Sequence, residues 1–203
     1  MYLIKVEMDR RLPEVRQAVA DCQKMHRLIT GLFGTDRQKS SILYRTNCVA
    51  NKIHLYLYAS CPVTEEATGR YRIMQRDITP WMEQLREGQY WKFDLIASPS
   101  KKVSTEGQKN SQRRILRQPS ERQNWLEQKA AQSGFTLCQV TELGQIHVSG
   151  RHREEKGGAM YHDAYHYQGV LRIMDAEAFR EALRKGIGSG KAYGFGMMIL
   201  KCL

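Results

Sequence analysis

The chain has 203 residues, and its 32 Lys and Arg against 21 Asp and Glu give a formal net charge of +11 at pH 7. A hydrophobic fraction of 41% is enough for a packed core in one or two domains. No apolar run approaches the ~20 residues of a membrane-spanning helix, and the first residues lack the layout of a signal peptide. These features exclude a membrane-spanning protein and predict a cytoplasmic protein with an anionic partner.

The cysteines do not form a recognisable site. They are five in number, without a C-x-x-C pair, which disfavours a disulfide framework and a structural zinc site. Cys22 and His26 have the spacing of two ligands on one helix face, but two ligands make only half of a metal site. We therefore expect inert thiols and no bound metal.

The first half of the chain reads as alternating strands and helices. Residues 2–8 alternate between apolar and polar side chains, which predicts a strand. From Leu12 to Phe33 the apolar residues recur at the three-and-four spacing of one amphipathic helix, which Gly34 ends. Further patterns predict strands at 40–46, 52–60 and 70–78, with a helical turn at 63–68.

The second half repeats this order after a boundary at 86–88. A polar connection over 98–122, without an apolar period, separates a strand from a helix that a capping box of Ser120 and Gln123 opens and Gly134 ends. The strands are expected at 89–97, 135–149, 159–173 and 196–202, with a second helix that Asp175 can cap and that runs to Lys185. Both halves approximate the β-α-β-β-α-β order of a ferredoxin-like unit. The prediction is an α+β protein of two tandem ferredoxin-like (RRM-like) domains, residues 1–87 and 88–203.

Basic side chains are densest in the second half. The 98–122 connection can track a phosphate backbone, or it can be a solvated segment whose charge only aids solubility. A predicted hairpin turn at 151–158 is also basic, although two glutamates dilute it. The candidates for phosphate contact in these two segments are Lys101, Lys102, Arg113, Arg114, Arg117, Arg151, Arg153 and Lys156.

A glycine-rich segment, 186–196, has five glycines in eleven residues. It is not a Walker A loop, because Ala192 follows Lys191 where that loop needs Ser or Thr. It is not a dinucleotide fingerprint either, because it leads into a strand rather than a helix. Its backbone can approach a phosphate closely, with Gly188, Gly190 and Lys191 as candidate contacts.

Four segments in this order resemble one known family. They are the opening 1–6, Met25-His26-Arg27, the strand and turn 93–101, and the ending from 169–171 through 186–196. The chain resembles the CRISPR-associated endoribonuclease CasE, which processes precursor CRISPR RNA in type I-E systems. The resemblance implies the tandem ferredoxin-like fold, binding of a repeat stem-loop, a cut at its 3′ base, and retention of the product in the Cascade complex.

The resemblance also implies a reaction without metal or cofactor. A ribose 2′-hydroxyl attacks the adjacent phosphate, which gives a 2′,3′-cyclic phosphate and a 5′-hydroxyl. It assigns proton transfer to His26, because an unperturbed imidazole can give or take a proton near neutrality. Arg27 and Lys24 are candidates to stabilise the phosphate, or they lie on a solvated helix face. Family members often have a tyrosine where this chain has Gln23, so we expect His26 to supply most of the proton transfer alone.

Two other interpretations stay open. One is a structural subunit that holds the repeat hairpin without cutting it, and the other is a general basic RNA-binding protein. Tyr161, Tyr165 and Tyr167 are expected to pack in a sheet rather than stack on bases. His162 and His166 have no counterpart in the resemblance and are left outside the site. The expected partners are the repeat hairpin and other Cascade subunits, with a monomer when free.

Overall fold

The computed structural model describes residues 1–34, 41–103, 112–151 and 159–203, without the side chains of Gln112, Arg151 and Ala159. The strands in these ranges are β1 Tyr2–Asp9, β2 Leu43–Val49, β3 Lys52–Ala59, β4 Arg72–Asp77, β5 Tyr90–Ala97, β6 Ser100–Val103, β7 Gln112–Ile115, β8 Phe135–Arg151, β9 Ala159–Ile173 and β10 Met198–Lys201. The helices are α1 Pro13–Ala20, α2 Cys22–Gly31, α3 Glu65–Arg70, α4 Thr79–Glu83, α5 Pro119–Gln132 and α6 Ala176–Lys185, with a 3₁₀ turn at Lys191–Tyr193.

Two antiparallel sheets organise these elements. The first has the strand order β2-β3-β1-β4 and the second has the order β10-β5-β9-β8. When the four strands of each sheet are numbered in chain order, both sheets have the same spatial order, 4-1-3-2. This shared order is that of a ferredoxin-like unit, and the predicted α+β tandem fold is confirmed. The domain boundary after residue 87 stays a prediction.

Each sheet buries one face against helices, because alternate side chains of a strand point to opposite faces. In the first unit Ile4 and Leu55 are fully buried and pack in one core with Val15 of α1 and Ile29 of α2. A second core has its centre on the second sheet and contains Phe135 and Phe179, whose rings meet edge to face. No helix in the described parts of the chain is long and apolar enough to cross a bilayer.

The single helix predicted over 12–33 is wrong, because the chain breaks at Asp21. That residue has extended backbone angles, φ −147° and ψ 116°, between α1 and α2. Its carboxylate accepts hydrogen bonds from the backbone N–H groups of Gln23 at 2.8 Å and Lys24 at 3.2 Å. An aspartate that caps the next helix competes with continuation of the previous one, which apolar periodicity does not reveal.

Two predictions for 98–122 are also wrong. The sequence pattern indicates no strand in this segment, but β6 and β7 pair as an antiparallel hairpin. Four-residue strands rich in Lys and Arg are too short and too charged to show an apolar period. The capping box is absent as well, since α5 begins at Pro119 and its N-cap Gln118 makes no side-chain capping bond. Proline at the first helical position supplies the start instead.

A polar cluster connects the two units. Arg45 of β2 forms a salt bridge with Asp94 of β5, and both side chains are mostly buried. His166 Nε2 lies 2.8 Å from one oxygen of Asp94, and Gln168 Nε2 donates to the other at 2.7 Å. The carboxylate therefore holds one strand of the first sheet against two strands of the second.

Candidate functional site

His26 lies on α2, where that helix faces the second unit. Cys22, Met25 and Ile29 form the buried side of α2, while His26 is partly buried at its margin. At the N-terminal end of the helix, a Cβ built on Gly150 of β8 would be 2.6 Å from the Cys22 Sγ. Only glycine allows this approach without displacement, so β8 and α2 are in close contact beside the candidate site.

Tyr193 connects this helix to the glycine-rich segment. Gln23 Nε2 donates a hydrogen bond to Tyr193 Oη at 3.1 Å, across 170 residues of sequence. The Tyr193 ring stacks on the His162 ring of β9, with centroids 3.9 Å apart and planes 19° apart. Gln23 precedes His26 by three residues, so the two side chains are neighbours on the surface of α2. The phenol therefore binds the helix one turn from the imidazole.

His162 supports the Tyr193 ring rather than facing a ligand through Nε2. That nitrogen is buried and has no hydrogen-bond partner among the described residues. Burial lowers the pKa of His162 below its usual value of 6.5, against an opposing effect of Asp163. The ring is therefore neutral at pH 7, and it stacks on the phenol as an uncharged surface.

The structure does not bring Lys24 together with His26. Two residues along a helix correspond to about 200° of rotation, so Lys24 lies on nearly the opposite side of α2. Its ammonium donates to Gln17 of α1 at 3.0 Å. Arg27 is exposed, and its Nε donates to the Gln23 carbonyl at 3.4 Å. Both cations line a groove between α2 and α3, and their predicted phosphate contact stays a prediction.

The 3₁₀ turn that presents Tyr193 is fixed at both ends by glycines with positive φ, Gly190 at +73° and Gly194 at +88°. A Cβ on Gly190 would lie 2.6 Å from the Phe195 ring, and one on Gly194 would lie 3.1 Å from the Tyr44 ring. Tyr44 also donates from Oη to the Ala192 carbonyl at 3.0 Å. The glycines therefore have a packing role that holds the turn against β2.

A basic cavity of about 670 Å³ adjoins the same turn. It lies between the β6–β7 hairpin, α5, α6 and the glycine-rich segment, and its lining includes the predicted Gly188. Glu181 is the one carboxylate among its described lining residues, and it pairs with Lys185 at 2.8 Å. The cations that line the cavity are Lys102, Arg113, Lys129, Lys185 and Lys191.

The hairpin presents its cations on two faces. Lys102 is the cross-strand neighbour of Arg113, and Lys101 is that of Arg114. Since adjacent residues of a strand point to opposite faces, the first pair faces the cavity and the second faces away. Lys101 forms a salt bridge with Glu121 at 3.2 Å.

Of the other predicted RNA-binding residues, Arg117 is exposed beyond β7. Arg151 is described only by its backbone, at the end of β8. Arg153 and Lys156 lie outside the described residues. The neighbouring Arg122 is not available to a ligand, because it is buried in a two-pronged salt bridge with Glu142.

Sequence reasoning missed four residues of this region. Tyr193 belongs to the glycine-rich segment, but its neighbour Gln23 is remote in sequence. His162 has no counterpart in the family resemblance, so no signal pointed to it. Lys129 and Lys185 lie near the C-terminal ends of α5 and α6, where basic residues are common for electrostatic reasons alone.

Comparisons with known proteins agree with this architecture. CRISPR-associated endoribonuclease Cse3 of Thermus thermophilus is 31% identical over 128 residues, and the match spans 59% of this chain and 59% of that relative. A solved structure of Cse3 bound to a 19-nucleotide RNA superposes with a TM-score of 0.85 at 23% identity, covering 99% of this chain and all of that one. A chain of a CRISPR RNA-guided surveillance complex, pre-nicking, has a TM-score of 0.76 at 25% identity and full coverage of both chains.

A family model described as CRISPR associated protein matches residues 1–201. Because this match extends over nearly the whole sequence, the chain belongs to that family of CRISPR-associated proteins, and its resemblance to CasE is confirmed.

Proposed function

We propose that the protein is an endoribonuclease that binds a CRISPR repeat stem-loop and cuts precursor CRISPR RNA at the 3′ base of the hairpin. One observation carries the proposal: Lys191 lines the basic cavity, and Tyr193, at the other end of the same 3₁₀ turn, contacts the helix of His26. In this proposal, a phosphate backbone held in the cavity runs along this turn towards the helix of His26. The names of the Cse3 relative and of its RNA complex support the same activity.

Recognition of the stem rests on shape and charge. The deep, narrow major groove of A-form RNA hides base edges from side chains, so a binding protein contacts phosphates and 2′-hydroxyls. The Lys102 and Arg113 face of the hairpin and the cations of α5 and α6 converge on one cavity. In this proposal the cavity holds consecutive phosphates of the stem.

The reaction is a transesterification without metal or cofactor. His26 accepts the 2′-hydroxyl proton, the 2′-oxygen attacks the phosphorus, and the 5′-oxygen leaves. The products are a 2′,3′-cyclic phosphate and a 5′-hydroxyl. Positive charge beside the phosphate stabilises the crowded transition state.

The protein is proposed to act in the cytoplasm, as a monomer when free, and to stay on the guide RNA with other Cascade subunits. The structural match to a chain of a surveillance complex supports this partnership. The alternative is a subunit that holds the hairpin without cutting it, for which the absence of a tyrosine at Gln23 is the argument.

The test of cleavage uses the repeat hairpin RNA of the host, incubated with the protein in EDTA. A matched RNA has a single 2′-deoxy substitution at the expected cut. We expect cleavage of the first RNA only, with a cyclic phosphate on the upstream product. Tight binding without a cut in either RNA favours the non-cleaving subunit, and equal affinity for unstructured RNA favours a general RNA-binding protein.

The basic cavity gives a second prediction. The double variant Lys102→Ala with Arg113→Ala is expected to weaken hairpin binding and to reduce the slope of log affinity against log salt by about 1 to 2, since each phosphate that the protein neutralises contributes just under 1 to that slope. The matched control is Lys101→Ala with Arg114→Ala, which removes the same charge from the opposite face of the hairpin. Equal effects of the two double variants would contradict a binding site in the cavity.

A further inference from the structure

The leaving 5′-oxygen needs a proton, and the group that supplies it must be protonated at neutral pH. His26 acts as the base in the proposed reaction, so its neutral form begins the reaction without that proton. Lys24 lies on the far side of α2, and Arg27 does not release a proton in proteins. The acid must also lie near His26. The phenol of Tyr193 meets both requirements, because phenols have a pKa of about 10 and this one binds Gln23, one helical turn from His26.

We propose that Tyr193 is the general acid of the cleavage, a role that rests on the proposed function. Its position comes from three independent contacts on the described residues. The Gln23 amide holds the hydroxyl, the His162 ring supports the face of the phenol, and Tyr44 holds the backbone of the turn through Ala192. Gln23 and His26 are three residues apart on α2, so their Cβ atoms are about 5–6 Å apart, and the phenol that Gln23 holds lies next to the helix position of the base.

The hydrogen bond from Gln23 has a direction that favours proton donation. An amide NH₂ group only donates, so the phenol oxygen accepts this bond and the hydrogen of the phenol is not used in it. A hydrogen bond to the charged form of a group stabilises that form. The Gln23 amide therefore stabilises the phenolate that remains after the proton has left.

The step balances in atoms and charge. The 2′-hydroxyl proton moves to the His26 ring nitrogen while the O2′–P bond forms. The P–O5′ bond breaks, its electron pair stays on O5′, and the Tyr193 hydroxyl proton moves to that oxygen. The imidazolium and the phenolate that result return to neutral groups when a proton passes from His26 to Tyr193 through water. From the sequence, His26 is expected to act without a partner, because Gln23 stands where family members often have a tyrosine. In this proposal Tyr193 is that partner.

The test is the variant Tyr193→Phe, which keeps the stacked ring and removes only the hydroxyl. We expect single-turnover cleavage of the repeat hairpin to fall about 100-fold, with hairpin affinity within about twofold of the wild-type protein. The cleavage rate of Gln23→Ala is expected to fall less than that of Tyr193→Phe, because the phenol remains. Tyr161→Phe is the matched control, since it deletes the hydroxyl of a tyrosine that is 78% exposed beside His162.

A second substrate separates proton donation from support of the fold. In an RNA with sulfur in place of the 5′-bridging oxygen at the cut, the leaving thiolate needs no acid, because thiols have a pKa of about 8.5. On this RNA we expect Tyr193→Phe and Gln23→Ala to match the wild-type rate, while His26→Ala stays slow. A defect of Tyr193→Phe that persists with sulfur, or no defect with oxygen, overturns the role of Tyr193.

The outcomes also separate the two proposals. A wild-type protein that leaves both RNAs intact overturns the cleavage function and the role of Tyr193 with it. A wild-type protein that cuts, beside a Tyr193→Phe variant of equal rate on the oxygen RNA, overturns only the acid and leaves the endoribonuclease in place.

Discussion

His26→Ala is expected to slow single-turnover cleavage of the repeat hairpin about 1,000-fold, while hairpin affinity stays within about twofold. In the proposed reaction the imidazole accepts the 2′-hydroxyl proton, and alanine at a helix position keeps the backbone of α2 in place. Cleavage rate and equilibrium binding are measured on the same RNA, at saturating protein.

The control for this variant is another histidine outside the site. His54→Ala removes an imidazole that lies on β3, 3.4 Å from Glu7, on the first sheet. This variant is expected to cut at the wild-type rate. A His26→Ala protein within about fivefold of the wild-type rate would remove His26 from the mechanism, whatever the role of Tyr193.

Asp94→Ala is expected to reduce the free energy of unfolding by about 2–4 kcal/mol, measured by urea denaturation at pH 7. The side chains of Arg45 and Asp94 are only 15% and 14% exposed. Removal of the carboxylate leaves a guanidinium without its counter-ion between the two units, and it leaves the Gln168 amide without this acceptor. The same change removes a contact between the two units, so cleavage is expected to fall with stability.

The effect of Asp94 has a defined pH dependence. Burial alone would raise the pKa of Asp94, but hydrogen bonds from Arg45 and Gln168 outweigh it and hold the pKa below the usual 3.8. A lowered folded-state pKa contributes stability above the unfolded value and loses it as the pH falls through the folded value. The stability difference between wild type and variant should therefore be constant near neutrality and shrink below pH 3.8.

Asp9→Ala is the matched control for Asp94→Ala. Asp9 pairs with Arg11 at 2.5 Å on the surface, where that arginine side chain is mostly exposed. Exposed ion pairs contribute little to stability because water and salt screen them, so no resolvable change is expected. Equal destabilisation of the two variants would show that the Asp94 cluster does not connect the units.

Much of the architecture could be read from local patterns. The alternation in 2–8 and 52–60 predicted β1 and β3 because strand periodicity depends only on neighbouring residues. Asp175 is the cap of α6, as its position before that helix predicts, and its carboxylate accepts from the backbone N–H groups of Glu177 and Ala178. The sequence did not predict the break at Asp21 or the β6–β7 hairpin. A cap inside an apolar period and a short charged strand have no distinctive spacing of apolar residues.

The sequence by itself determined the order of elements in the two ferredoxin-like units, the excess of positive charge, and His26 as a candidate through its resemblance to a known family. Tertiary structure alone decided which residues contact the helix of His26 and which face of the hairpin lines the basic cavity. Gln23 and Tyr193 meet across 170 residues, and such a pair depends on how the two units pack together. Periodicity reports which face of an element is buried, but it does not report what that face, or its margin, touches.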